Sequence, residues 1–368
     1  MFTKNFTTFN SVLSIKRSSV APVQNRLVVT APNWLGDAVM SLPLLGLLSS
    51  LDNVQVTVLA PPATARIYGG INGLDELVIY ARPRRSRGLG WQRRLLSHLR
   101  PAAAIILPPS FSSALPPFLS GIPIRTGYRT DGRGILLTEA LPAENMQTKH
   151  VSENYLELGR TTAGRLGLSI PDTHPIPRIR VQEWESKRLD QLLDAVGAPR
   201  RRFCLIAPGA AYGSAKTWPE TAWRVAIQML SSELPVVLSG GPSDRATAGR
   251  LAGNLENVFN LAGRTSLGEF LALVERAGVL IANDSGAPHA AGSLGTPAVV
   301  IFGSTSPSWT KPAGEPIEII RQPILCSPCF LRKCPTHLEC FRQIEPADVV
   351  SRALDLIKKE VDISTGRG

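Results

Sequence analysis

No apolar run in this chain approaches the roughly 18 residues that a membrane-spanning helix needs. The longest candidate, residues 38–51, is interrupted by Pro43, Gly46 and serines and reads as a buried helix. Nor does G-x-G-x-x-G occur, so a dinucleotide fingerprint is not supported. Five cysteines in 368 residues are too few for a disulfide scaffold. Acid is missing where base is concentrated: Arg82, Arg84, Arg85, Arg87, Arg93, Arg94 and Arg100 share one acid-free stretch, with Trp91 its sole aromatic. A nucleic-acid surface would interleave more aromatics or carry a known module, so that class is disfavoured. Residues 1–26 hold no acid either, and no apolar h-region or small-residue cleavage site, so 1–25 reads as a disordered leader.

What is present suits two soluble cores. The chain is 43% hydrophobic with mean hydropathy +0.05, and its length suggests two domains. A net charge of +11 predicts attraction to anionic partners. The arginine stretch has two readings that stand side by side: a surface facing phosphorylated lipid, or a solvated helix face.

The most informative stretch is Val279–His289. An apolar run stops at Asn283-Asp284, a small-residue turn Ser285-Gly286 opens a short helix, and residues 297–302 form another apolar run. This is a βαβ unit of a parallel sheet, with its turn at the carboxyl end of a strand, where open α/β sheets bind ligands. The N–H groups at such a helix start can hold phosphate. An ordinary well-capped turn would look the same.

The same alternation fills both halves. Runs at 26–30, 54–60, 76–79, 103–107 and 124–129 read as strands before a helix at 150–166. The proline-rich segment 172–182 is a non-helical linker. After a helix at 183–195 the pattern restarts with strands at 203–207 and 236–238, a helix at 267–277 and the βαβ unit above. The expected organisation is a leader at 1–25, an α/β domain at 26–171, a second at 183–345, and a terminal helix and tail at 346–368.

Candidate chemistry sits in the turns. Asp37 follows the first strand in Asn33-Trp34-Leu35-Gly36-Asp37; it reads either as a helix N-cap or as a carboxylate able to accept a proton. In the second half, Lys216 lies in a small-residue loop with Gly209 and Ser214, a setting for a phosphate-facing cation. Gly240-Gly241 is an open turn that admits a flat nucleoside or is simply a turn. Ser285, Gly286 and Ala287 offer backbone donors. His289 reads equally as a phosphate ligand or a structural histidine. Asp284 has the wrong charge for phosphate and is expected to contact sugar hydroxyls or to cap the helix. A phosphate-bearing donor and a separate base suggest group transfer.

Four segments in order, Asn33–Ser41, Ala215–Pro219, Ser239–Pro242 and Asn283–His289, resemble glycosyltransferase family 9, and within it the lipopolysaccharide heptosyltransferases. The similarity runs from about Arg26 to about Leu356, and Arg125-Thr126-Gly127-Tyr128 shares in it. The leader departs from the family pattern. The resemblance implies an α/β GT-B fold, with two Rossmann-like doubly wound domains facing across a cleft, the acceptor on the first and the nucleotide sugar on the second. It implies ADP-L-glycero-β-D-manno-heptose as donor and the inner-core heptose of a Kdo-lipid A precursor as acceptor. Transfer would invert the anomeric centre without a catalytic metal, in the cytoplasm at the inner face of the inner membrane. On that pattern Asp37 and Lys216 are catalytic. Gly209, Ser214, Gly240, Gly241, Asp284–Ala287 and His289 line the donor site. Asn33, Trp34, Gly36, Arg125 and Arg129 meet the acceptor.

Cys326, Cys329, Cys334 and Cys340 form one metal-like constellation. A structural zinc would fit four such ligands, but the spacing is irregular and free thiols are the preferred reading. Two other classes remain in view: a non-catalytic nucleotide-sugar or phospholipid binder, and a charge-driven nucleic-acid binder. The first has no use for a base such as Asp37. The second predicts steeply salt-dependent binding to unrelated DNA.

Overall fold

The computed structural model describes residues 12–16, 25–71, 73–80, 87–144 and 146–365. The chain divides into two units between Pro175 and Ile176, within the proline-rich segment. Among the described residues no helix is long and apolar enough to cross a membrane.

Unit 1 contains β1 (Val12–Lys16), β2 (Asn25–Thr30), α1 (Leu35–Met40), α2 (Leu42–Ser49), β3 (Val54–Ala60), α3 (Pro62–Tyr68), β4 (Glu76–Tyr80), α4 (Arg87–Leu99), β5 (Ala103–Ile106), α5 (Phe111–Leu119), β6 (Ile124–Tyr128), β7 (Glu139–Leu141) and α6 (Val151–Arg165). Its sheet runs β1-β4-β3-β2-β5-β6-β7, parallel except for β1. The order steps outward from β2 in one direction, then returns to β5 on its other side. That reversal is the topological switch of a doubly wound fold.

Two features differ from the sequence expectation. Val12–Lys16, inside the expected leader, is a strand antiparallel to β4, pairing Val12 with Tyr80 and Lys16 with Glu76. Valine and isoleucine favour strand, and pairing covers an otherwise open edge of β4. Residues 1–11 and 17–24 of that leader lie outside the described residues. The single helix expected from Ala38 is two helices, broken at Ser41. Pro43 at the start of α2 lacks an N–H and cannot continue α1. The break is stitched by Ser41 Oγ, which donates to Ala38 O at 2.7 Å and lies 3.2 Å from the Tyr68 hydroxyl.

Unit 2 contains α7 (Glu183–Ala195), β8 (Cys204–Ala207), α8 (Glu220–Ser231), β9 (Val236–Leu238), α9 (Arg245–Ala252), β10 (Val258–Asn260), α10 (Leu267–Arg276), β11 (Val279–Asn283), α11 (Gly286–Leu294), β12 (Ala298–Phe302), α12 (Pro307–Thr310), β13 (Ile317–Arg321), α13 (Glu339–Arg342) and α14 (Pro346–Thr365). Its sheet is wholly parallel in the order β10-β9-β8-β11-β12-β13, with the switch between β8 and β11.

The strands read as continuous apolar runs because both faces are covered, as parallel sheets require. Cys204, Ile206, Val279 and Ile281 pack on one side with Trp218, Trp223, Phe341 and the α14 residues Val349, Ala353 and Leu356. Their alternates Leu205, Ala207, Leu280 and Ala282 pack on the other with Leu189, Leu193 and Leu273. Each valine, leucine, isoleucine or phenylalanine among them contributes about 1.5–3 kcal/mol relative to exposure. The terminal helix is therefore part of the second core. On one face of unit 1, Val28, Leu59, Val78, Ala104 and Ile106 pack against Leu96, Leu99 and Ala114.

Candidate functional site

The loops leaving β8, β9, β11 and β12 assemble a polar centre at the carboxyl edge of the unit 2 sheet. The loop after β8, residues 208–219, is fastened to β11 by Asn283. Its side chain accepts from the Trp218 N–H at 3.0 Å and donates to Pro208 O at 2.6 Å. A short 3-10 turn, Ser214–Lys216, then aims Lys216 inward. Its Nζ donates to Asp284 Oδ2 at 2.5 Å, and the side chains are only 10% and 4% exposed. The same carboxylate oxygen accepts from Thr305 Oγ1 at 2.5 Å and Thr310 Oγ1 at 3.2 Å.

Lys216 also lies 5.0 Å from the centroid of the Tyr212 ring, and the Arg332 guanidinium lies 5.3 Å from it. Cation–π attraction holds both charges on the same residue. The Tyr212 hydroxyl donates to Phe330 O at 2.8 Å, and the Ala215 N–H donates to Arg332 O at 3.1 Å. The cysteine-rich loop therefore braces the lysine loop. Gly213, with a φ of +152°, permits this: a Cβ there would stand 2.3 Å from Arg332 O.

Beside this centre starts α11. Ser285 is its N-cap residue in an extended conformation, with no side-chain capping bond. Gly286 and Ala287 begin the first turn, whose N–H groups have no intrahelical acceptor; Pro288 contributes none. Asp284 precedes the cap and is engaged by Lys216, so it does not cap the helix. His289 is buried within the same turn. On the β9 side, Gly209 and Gly240 approach Asp244 so closely that a Cβ on either would lie 2.6 Å from one of its carboxylate oxygens. Asp244 Oδ2 accepts the Gly241 N–H at 2.8 Å. Ser214 is exposed at the loop surface. All the expected donor-site residues thus come to one edge of one sheet.

In unit 1 the turn after β2 is anchored by Thr64 Oγ1, which donates to Pro32 O at 3.0 Å. Asn33 and Trp34 are exposed, Trp34 by 41%, and Gly36 is half-buried. Trp34 is the N-cap residue of α1 and Asp37 lies within the first turn, so Asp37 is not a cap; its charge there suits the helix dipole. Burial pushes Tyr68 and Tyr155 well above the ordinary phenol value, with the negative charge of Asp37 adding to the rise in both. Two neutral tyrosines therefore stand in the field of the half-buried carboxylate.

The structure does not bring Arg125 to that turn. It lies in the first half of β6, level with Ala104, and donates from Nε to Leu136 O at 2.7 Å and from Nη1 to Ile122 O, with its guanidinium over the Phe118 ring. Arg129 follows β6 and is exposed. Gly127 leaves room for Arg133, which the sequence reading missed. Arg133 is buried and donates to Tyr128 O, Pro108 O and Ser113 Oγ, pinning the ends of β5 and β6. Burial pulls its guanidinium down to about 10, against the opposing charge of Asp131. Thr305, Thr310 and Asp244 were missed too. The first two are isolated threonines beyond a strand, and only their shared partner marks them.

Cys204 is buried in β8, where burial raises its thiol. Burial likewise pushes Cys340 up to about 11, with the charges of Cys326, Cys329 and Cys334 contributing. Among the described residues no group of three or more His, Cys, Asp or Glu side chains is arranged to hold a metal ion. Of the arginine stretch, Arg82, Arg84 and Arg85 lie outside the described residues, whereas Arg93, Arg94 and Arg100 are exposed.

The chain resembles known proteins in sequence and in fold. Residues 92–339 match the model of glycosyltransferase family 9 (heptosyltransferase). Lipopolysaccharide heptosyltransferase 2 of Escherichia coli is 30% identical over 308 residues, 80% of this chain and 88% of that protein. Its Salmonella typhimurium counterpart is 29% identical over 307 residues, with the same coverage of each. The solved E. coli ADP-heptose lps heptosyltransferase II superposes with a TM-score of 0.75 at 26% identity, covering 91% of this chain and 99% of that one. Two Rossmann-like units in one chain are the GT-B composition, and the chain belongs to glycosyltransferase family 9, the heptosyltransferases.

Proposed function

We propose that this glycosyltransferase moves L-glycero-D-manno-heptose from its ADP-activated β form onto the inner-core heptose of a Kdo-lipid A acceptor, with inversion, in lipopolysaccharide core synthesis. The relatives named heptosyltransferase 2 support the subtype. The observation that carries the donor assignment is Lys216 paired with Asp284 beside the start of α11, at the switch point between β8 and β11.

In this reading unit 2 binds the nucleotide sugar. Lys216 and the N–H groups of Gly286 and Ala287 take up charge on the diphosphate as the anomeric C–O bond breaks. Preorganised donors of this kind contribute about 3 kcal/mol each. The acceptor oxygen attacks the opposite face of the anomeric carbon through an oxocarbenium-like transition state. Asp37 takes the proton of that hydroxyl, and ADP leaves with the bonding pair. Exposed Trp34 offers a ring face to the acceptor sugar, with Asn33 and Arg129 as polar contacts. Ser214, Gly240, Gly241 and His289 complete the donor site, Gly209 giving the backbone close approach. In this reading no metal takes part in the step, and the expected outcome of adding EDTA is unchanged turnover. The exposed arginines Arg93, Arg94 and Arg100 suit an anionic membrane surface on the cytoplasmic side.

The test is ADP release from ADP-heptose, with and without heptosylated Kdo-lipid A. Acceptor-dependent release establishes the transfer. Release only with a different heptose acceptor moves the protein to a sibling activity. ADP binding without release under any acceptor leaves a non-catalytic nucleotide-sugar binder.

A further inference from the structure

Asp284 has one oxygen shared among three donors, from the loop after β8, the loop after β12 and α12. We infer that Thr305 and Thr310 are positioning residues for donor binding, acting on Lys216 through Asp284; this rests on the donor-site reading above. Neither threonine is open to a ligand, since they are 0% and 7% exposed. Their hydroxyls reach Asp284 Oδ2 at 2.5 and 3.2 Å, from the loop after β12 and from α12.

The physical need is plain. A lysine ammonium sits on a flexible four-carbon stem and makes a point-charge contact, so its place is set by what holds its counter-ion. A carboxylate held by one lysine alone can turn about its χ angles and carry the ammonium with it. Two hydroxyl bonds stop that rotation and offset part of the cost of burying the charge. Threonine is suited to the task because its branched Cβ restricts χ1. The loop that carries Thr305 is itself fixed: Ser304 O accepts from the N–H groups of Cys329 and Phe330 at 3.0 and 2.8 Å, and Gly303 O accepts from Ser327 Oγ at 2.6 Å. The cysteine-rich loop thus sets both sides of the pair, the lysine through Tyr212 and the aspartate through Thr305.

The experiment measures ADP affinity by calorimetry and the rate at which Lys216 is modified by an amine-reactive ester, followed by mass spectrometry. Thr305→Val removes one bond of about 1 kcal/mol, so ADP affinity falls about fivefold and Lys216 labelling rises severalfold. Thr305→Ser restores both to within about twofold. Thr310→Val moves both readouts in the same direction by less, matching its longer bond, and serves alone if Thr305→Val does not fold. In a Lys216→Met background, Thr305→Val has less than about a twofold further effect on ADP affinity, since the residue through which it acts is gone. Unchanged labelling in both threonine variants overturns the inference, as does an equal affinity loss with and without Lys216. If Lys216→Met leaves ADP affinity intact, the donor-site reading fails instead; the labelling rates then still report whether the threonines hold the lysine.

Discussion

The Lys216 ammonium donates a 2.5 Å hydrogen bond to Asp284 Oδ2 with both side chains almost withdrawn from water. The pair ties the loop after β8 to the end of β11 across the switch point of the unit 2 sheet. Removing one partner leaves a buried charge, a loss of about 3–5 kcal/mol when nothing else compensates. Thr305 and Thr310 compensate in part. Lys216→Met therefore lowers stability by about 2 kcal/mol, or roughly 4–8 °C in Tm for a domain of this size, and ADP affinity by tenfold or more. Adding Asp284→Asn recovers most of the Tm but none of the affinity. Calorimetry on both variants checks this, and recovery of affinity in the double variant would sink the assignment of Lys216 to the diphosphate.

Asp37 lies in the first turn of α1 rather than at its cap, so it is not needed to start the helix. Asp37→Asn keeps the shape and removes the proposed base. Turnover falls about 10²–10⁴-fold, while Tm changes little and ADP affinity stays within twofold. A variant that retains most of its turnover disproves the base assignment.

Gly209 is required by contact, since an added Cβ would stand 2.6 Å from Asp244 Oδ1. Gly209→Ala displaces Asp244, which holds the Gly241 N–H. The turn Gly240-Gly241 then loosens, and ADP affinity drops severalfold while turnover at saturating donor is largely kept. A KM-against-kcat comparison separates this from an effect on chemistry.

Asp190 on α7 accepts from Arg276 on α10, and Arg276 donates as well to Ser186 O at 3.1 Å. The hydrogen bond from Arg276 holds the Asp190 carboxyl below its ordinary value, against its partial burial. Because the folded value is the lower one, the pair stabilises the fold fully above the unfolded value of about 3.9 and loses that stabilisation as pH falls through the folded value. Asp190→Asn thus lowers Tm by about 2–4 °C at neutral pH, for a partly exposed pair of about 1 kcal/mol. The gap between the two proteins narrows below pH 4. A gap that widens with acid contradicts the direction of the shift.

Much of the architecture was legible because burial on both faces of a parallel sheet leaves an unmistakable trace. Cys204–Ala207, Val279–Asn283 and Ala298–Phe302 are unbroken apolar runs, and each ends where a small or polar residue begins a ligand-side turn. Val12–Lys16 left no comparable trace, since five residues at the sheet edge gain their strand from pairing with β4 rather than from a long pattern. Of the two roles expected for Asp284, contact with sugar hydroxyls or capping the helix, the structure removes the second, for a related reason. A carboxylate next to a helix start has the local signature of a cap, whereas its real partner is 68 positions away. Arg125 shows the converse: its segment carries a family resemblance, but the side chain is occupied by Leu136 O and Ile122 O.

The amino-acid sequence by itself determined two alternating α/β halves, the proline-rich joint between them, and the turns that carry Asp37, Lys216 and Ser285–His289. These follow from local rules of periodicity, turn chemistry and helix starts, which act over a few neighbouring residues. Only the tertiary structure decided what those side chains do to one another. Lys216 becomes the partner of Asp284, Thr305 and Thr310 become its supports, and the cysteine-rich loop becomes a brace. Each of these depends on strand order, because β8 and β11 are neighbours in the sheet while 71 residues lie between the end of β8 at Ala207 and the start of β11 at Val279. Hydrogen bonds and ion pairs act over about 3 Å in space, and only the fold converts distance along the chain into that proximity.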